Sequence, residues 1–276
     1  MDEKAPEPGG FLSPSLPSPA PSNASTSSTR SNLPHPRSHP LRAGSAKEDA
    51  ARRYVEGRLL HVSRRYTKKF QPVEDSRVED VKGYESMGQV AKDLGEIIDV
   101  VWLSGTRTFI PNRFYFIVLT KTSLGTASLQ IPYLLSIAGS VNTYLPAFPP
   151  SPKSTFGLLK KLDHAFSSLL KGEDSDTGEL LPGFERGMRA GMSKTDMVRC
   201  KGLVEATRVL IVDVMNKEPE SVEDMDENDG ETDLEEDSGM DIEERKVEMD
   251  VARVYERTIV QLGERLEGNG GFGVVS

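Results

Sequence analysis

The chain has 276 residues but only one cysteine, one tryptophan and four histidines. A lone Cys200 excludes an internal disulfide and any cysteine-based metal site. Its place in an apolar helical run reads as a buried, reduced thiol. His35 and His39 lie in a Pro/Ser-rich stretch. His61 and His164 belong to separate helical segments with no acids at ligand spacing, so no metal centre is expected. Asp163 beside His164 reads as an ordinary pair on a helix surface, not a catalytic relay. The glycines from Gly83 to Gly191 are scattered and form no phosphate cradle; Gly183, Gly187 and Gly191, four apart, read as loop chemistry. No acid, base and nucleophile converge, so neither catalysis nor a cofactor is expected. The longest apolar stretches, 109–119 and 129–145, are interrupted and too short for a bilayer span. The opening MDEKAPEPGG has neither the basic start nor the apolar core of a secretory signal. The expectation is an intracellular chain with no membrane contact.

What is present changes character abruptly along the chain. The first 46 residues hold nine prolines and many serines, and residues 1–45 are expected to form a disordered tail that buries too little apolar surface to order itself. Lys47 to Phe70 then carries eight Lys/Arg against three Asp/Glu. Far downstream, Glu218 to Glu244 contains 15 Asp or Glu in 27 positions and no Lys or Arg. The net charge of -9 therefore describes a dipolar chain. Basic and acidic ends of this kind suit contacts with charged partners, or with one another.

Between these flanks run six amphipathic segments. Ser45 and Glu48 predict a capping box that opens a first helix over 46–70, with Tyr54, Val55, Leu59, Val62, Tyr66 and Phe70 as its apolar stripe. A second, 86–103, buries Leu94 and Ile98, with Trp102 beside the stripe and Asp93, Glu96 and Asp99 facing elsewhere. A third, 128–145, includes Leu129 and Pro132; a fourth, starting at Ser154 or Thr155, carries Phe156, Leu159, Leu162 and Phe166. Ser193 and Asp196 form a second capping box before a fifth helix containing Leu203 and Leu210. A sixth, starting at Asp241 or Val247, ends at Leu266 and packs on the core or on another protein. Six apolar faces most simply cover one another. The fold expected is all-α: a single bundle of about five to six helices. Its core spans 46–217, the acidic linker 218–244, the last helix 245–267 and a loose glycine-rich tail 268–276. The aromatic, β-branched stretch 107–127 fits a strand better than a helix and breaks the pattern.

Two surfaces are candidates for interaction. One is the basic helix, with Arg52, Arg53, Arg58, Arg64, Arg65, Lys68 and Lys69. The other is the acid tract, with Glu223, Asp224, Asp226, Glu227, Asp229, Glu235, Glu236 and Asp237. The basic helix reads first as a solvated face or a dock for an acidic partner, and second as a site of weak nucleic-acid contact. Lys and Arg at 64–69 also suit a nuclear import signal.

Two stretches carry a family resemblance. The first is Glu96-Ile-Ile-Asp-Val-Val-Trp-Leu-Ser-Gly-Thr106 with Ser128-Leu-Gln-Ile-Pro-Tyr-Leu-Leu135. The second is Tyr144-Leu-Pro-Ala-Phe-Pro-Pro-Ser-Pro-Lys-Ser-Thr-Phe156 with Leu159, Leu162, Asp163 and Phe166. Together with the capped helix 193–214 they resemble the fungal accessory (eleventh) subunit of general transcription factor TFIIH, over about 54–266. The resemblance implies a non-enzymatic nuclear protein associated with the TFIIH core subunits, and above all with release of the XPB-type DNA translocase after initiation. It brings no catalytic residues. It also implies that Thr106 should run almost directly into Ser128, which marks 107–127 as an insertion or retained intron. The alternative function is a nuclear DNA-binding or recombination-associated factor using the basic helix 47–70.

Overall fold

Helix formation follows the apolar periodicity. The computed structural model describes residues 33–37, 39, 41–42, 44–71, 81–105, 129–184, 191–216 and 237–267, the last with backbone only for 237–244. In chain order the helices are α1 (Ala46–Lys68), α2 (Met87–Leu103), α3 (Gln130–Tyr144), α4 (Pro152–Lys171), α5 (Lys194–Met215), α6 (Asp237–Ala252) and α7 (Glu256–Glu267). A 3-10 turn, Leu145–Ala147, extends α3. The fold is all-α, and isolated bridges, such as that between Glu173 and Leu180, are the β features among the described residues.

Helix α4 is the axis of the bundle. Pro152 stands in its first turn, where a missing N–H costs nothing and a fixed φ helps. From Leu158 onward almost every residue to Leu170 is buried. A helix covered all round must be central, and α4 packs against α2 on one side and α7 on another. Gly172 ends it at φ 83°, with its N–H on the Ser168 carbonyl at 2.7 Å. A left-handed terminus of this kind favours glycine. Helix α2 packs on α4, and its Val90, Leu94, Ile97, Ile98 and Val101 are each fully buried. Each such side chain stabilises the fold by roughly 1.5–3 kcal/mol relative to exposure. Helix α1 covers α2, while α5 packs on α3 and α7.

The capping predictions divide. Ser193 and Asp196 form the full reciprocal box at α5. At α1, Ser45 accepts from the Glu48 N–H, but the Glu48 carboxylate takes the Gly44 N–H instead of that of Ser45.

Several expectations need correction. The expected sixth helix is two: α6 and α7 meet at Arg253–Tyr255, where Tyr255 adopts φ 55°. Val254 and Tyr255 are buried at the bend, so the chain turns there to bury both. Helix α6 begins at Asp237, inside the stretch expected to be linker. Pro132 is exposed: it occupies the first turn of α3, where its ring faces outward and its missing N–H interrupts no helical bond. Tyr54 and Phe70, placed on the stripe of α1, are 46% and 63% exposed. Part of the expected disordered tail lies against the end of α2, through Pro34 and Leu41. The stretch 107–127, residues 217–236 and the tail 268–276 lie outside the described residues.

Candidate interaction surface

Helix α1 is held on α2 by a charged clamp, and the clamp uses residues expected to face partners. Asp93 sits at its centre. Its carboxylate accepts from Arg65 at 2.9 Å, Arg58 at 3.3 Å and the Tyr84 hydroxyl at 2.7 Å. Arg58 also reaches Glu96 at 3.0 Å, and Arg65 donates to Gln89 and to the Lys82 carbonyl. The Arg65 guanidinium lies 4.1 Å from the centre of the Tyr84 ring, a cation–π contact. Burial pushes the Asp93 carboxyl up, but the Tyr84 hydrogen bond and the two arginines outweigh it and hold the group below 3.8. Burial, with the hydrogen bond to Asp93, raises the Tyr84 hydroxyl in turn.

The other α1 bases divide into engaged and outward groups. Arg52 pairs with Glu48 one turn earlier at 3.4 Å. Lys69 stands 4.7 Å from the centre of the Phe148 ring, beside the cluster of Tyr66, Tyr144 and Phe148. Lys68 is half-buried. Arg53 and Arg64 are exposed, and neither makes an ion pair among the described residues; Arg53 donates only to the Asp49 carbonyl of its own helix. They lie on the outer ridge of α1 with Leu60, itself 53% exposed. On the acid side, Glu223, Asp224, Asp226, Glu227, Asp229, Glu235 and Glu236 fall outside the described residues, and Asp237 is the first residue of α6.

Among the residues expected in the core, Leu94, Ile98, Trp102, Leu129, Phe156, Leu159, Leu162 and Phe166 are buried. Leu203 and Leu210 are half-buried and pack against the core.

A second polar node lies at the start of α7. Asp163 and His164 are both buried, contrary to the surface pair expected, because α7 and the loop after α4 cover this face. The Asp163 carboxylate accepts from the Thr258 N–H at 2.9 Å and its hydroxyl at 2.7 Å, so α4 caps α7. His164 stands between Asp174 and Asp176, each 3.1 Å from one ring nitrogen, and Arg257 bridges to Asp176 at 2.6 Å. Arg208 of α5 donates to the Val254 carbonyl at 2.8 Å, satisfying a backbone group freed by the bend. Sequence reasoning missed this node, since its partners are separated by up to 95 positions. No group of His, Cys, Asp or Glu suited to a metal occurs among the described residues. No described helix is long and apolar enough to cross a membrane. Gly268, Gly270 and Gly273 have GxGxxG spacing but lie outside the described residues.

These features define an all-α bundle tied together by buried polar nodes, with a partly engaged basic ridge on its first helix. The chain belongs to the family described as subunit 11 of the general transcription factor TFIIH, which it matches over residues 83–263. It is 28% identical over 198 residues to the Saccharomyces cerevisiae protein named General transcription and DNA repair factor IIH subunit TFB6, covering 62% of this chain and 54% of that protein. The chain thus spans about half the length of that relative. No solved structure matches it significantly. The family match begins just before α2, so α1 stands outside it.

Proposed function

We propose that the protein is a non-enzymatic nuclear subunit of TFIIH that binds the XPB-type DNA translocase of that complex and governs its release during RNA polymerase II transcription initiation. The observation that carries this reading is the extent of the family match. It runs from the approach to α2 into α7, so it covers α2 to α6 and the first part of α7. A scaffold of mutually packed helices offers surfaces for partners, and the outward bases Arg53 and Arg64 with the acid tract 218–236 are the contact regions proposed. A role in DNA repair follows from membership of the same complex.

Affinity purification of the tagged chain from nuclear extract tests the assignment. The XPB-type subunit and other TFIIH subunits should co-purify. Consistent absence of every TFIIH subunit would reject it. Direct DNA binding by α1 is disfavoured because Arg58 and Arg65 are engaged with Asp93. A binding titration across salt checks that: a nucleic-acid contact made by several cations weakens steeply as salt rises.

A further inference from the structure

Helix α5 has two apolar faces, and only one of them is used within the chain. Met197, Cys200, Val204, Thr207, Ile211 and Val214 are buried, and the helix packs on α3 and α7. Val198, Gly202, Ala206, Val209 and Val212 are exposed. Val198 and Val209 are 62% and 64% exposed. These positions recur at three-to-four spacing, so the valines lie in one row along the outer side of the helix. A surface helix ordinarily turns a polar face outward. Single exposed apolar residues need no explanation, but a contiguous row marks an interaction surface. Gly202 and Ala206 stand between the valines, and a Cβ added at Gly202 would meet nothing within 4 Å. Small residues at that point let a second helix axis come close. The face is also rigid in advance. The reciprocal cap of Ser193 and Asp196 fixes its first turn, and the buried side holds the rest, so docking costs little ordering.

The charges along this face identify what fits it. Lys194 and Lys201 stand in the N-terminal half of α5, Glu205 and Asp213 in the C-terminal half, and all four are exposed. A basic half followed by an acidic half is complementary to itself when reversed. Two copies of α5 laid antiparallel bring Lys201 opposite Glu205 and Lys194 opposite Asp213. The same register sets Val198 against Val209. A parallel pair would place base on base and acid on acid. Within one chain Lys201 stands 3.9 Å from Glu205, beyond hydrogen-bonding distance, so both groups keep capacity for a second chain.

We propose that the outer face of α5 is a self-association surface, on which a second copy of this chain docks its own α5 antiparallel. The pairing is two-fold and isologous, the commonest closed symmetry of soluble assemblies. Contact between one pair of helix faces falls below the roughly 1,200 Å² of stable interfaces, so the dimer is weak and reversible. By mass action the valine row is covered when the chain is concentrated and uncovered when it is dilute.

The test uses the full-length chain. Sedimentation velocity from about 1 to about 500 µM, the range in which a contact of this size forms, should show the mass rise from that of one chain toward that of two. Val209→Asp, at an exposed position, should keep the helical circular dichroism and weaken the dimer at least ~10-fold. Lys201→Glu and Glu205→Lys should each weaken it severalfold, and the two together should restore it. A carbodiimide, which joins an amine to a carboxylate with no spacer, should link Lys194 to Asp213 in the dimer. Within one chain the length of α5 holds these two about 28 Å apart, so the link forms only between chains. A chain that stays a monomer at every concentration overturns the proposal. So does a dimer indifferent to Val209→Asp and to the charge reversals, or one without the link between Lys194 and Asp213. A wild-type chain that never dimerises, with Val209→Asp losing TFIIH subunits in the affinity purification, overturns it as well and assigns the face to a helix of another protein.

Discussion

Two aspartates define the chemistry at the residue scale, and burial acts on them with opposite outcomes. Asp93 is held below 3.8 because Tyr84, Arg58 and Arg65 together exceed the effect of burial. The folded chain therefore takes up this proton less readily than the unfolded one. The stabilisation is complete above the ordinary carboxylate range and is lost as pH falls through about 4 and below. Asp93→Ala leaves the buried Tyr84 hydroxyl without its acceptor and takes from Arg58 and Arg65 the carboxylate they share, and should cost about 2–4 kcal/mol at neutral pH. Urea unfolding of the variant, followed by helical circular dichroism, measures it. Asp163 behaves oppositely: burial raises it above 3.8 against the Thr258 hydrogen bonds and the Arg257 charge. Its contribution is fully present when the group is protonated and is lost as pH rises through the raised value. Asp163→Asn keeps an acceptor for Thr258 without a buried charge. It should match or exceed wild-type stability at pH 7 by about 1 kcal/mol, whereas Asp163→Ala should lose about 2 kcal/mol by leaving the Thr258 donors unsatisfied. Denaturation curves for both variants at pH 7 and pH 5 separate these outcomes.

At the element scale, the helices were legible where one face decides the structure. Leu94, Ile98 and Val101 recur at helical spacing, and the predicted span 86–103 begins within a residue of the observed start of α2. Ser193 and Asp196 announce α5 by local chemistry that needs no distant partner. What stayed hidden depends on long-range pairing. Arg58 and Arg65 look like solvent-facing bases until Asp93 is brought beside them from the next helix. Thr258 gives no sign that a residue of α4 will cap it. The bend between α6 and α7 was also unreadable, because Val254 and Tyr255 fit a continuous stripe as well as a broken one. The bend carries strain: a bulky residue in the left-handed region costs on the order of 1 kcal/mol, and Tyr255 does so at φ 55° while its ring packs 6.2 Å from that of Phe166. Its hydroxyl is fully buried, with Thr207 beside it. Tyr255→Phe keeps the ring and its packing and removes only the buried hydroxyl beside Thr207, so it should move the midpoint of thermal unfolding by no more than a few degrees, equivalent to about 1 kcal/mol. A clear fall in a calorimetric scan would contradict that account.

At the scale of the whole molecule, the charges do two jobs that composition could not separate. Some bind helix to helix, as at Asp93 and at the pair of Lys161 with Asp99, 2.7 Å apart. Others, such as Arg53 and Arg64, stand outward. The candidate surface was therefore only partly legible: the residues were visible as a basic run, but their division into structural and displayed groups required the packed neighbour. Reversing the displayed pair, Arg53→Glu with Arg64→Glu, should leave the melting curve within about 0.5 kcal/mol of wild type and lower recovery of TFIIH subunits severalfold in the affinity purification. Unchanged recovery would move the contact region off α1, in keeping with a family match that begins beyond it.

Cys200 faces the bundle core from α5 at zero exposure, and burial, reinforced by Asp163 and Asp196, pushes its thiol up to about 12. A thiol must ionise to react, so the native chain shields this sulfur twice, by exclusion and by protonation. When reagent outpaces reclosure, labelling proceeds at the rate at which the bundle opens. With a single sulfhydryl in the sequence, the mass added over time, followed by intact-protein mass spectrometry, becomes a stopwatch for global opening that needs no engineered reporter. The trace should be slow and single-exponential in buffer and near-instantaneous in strong denaturant.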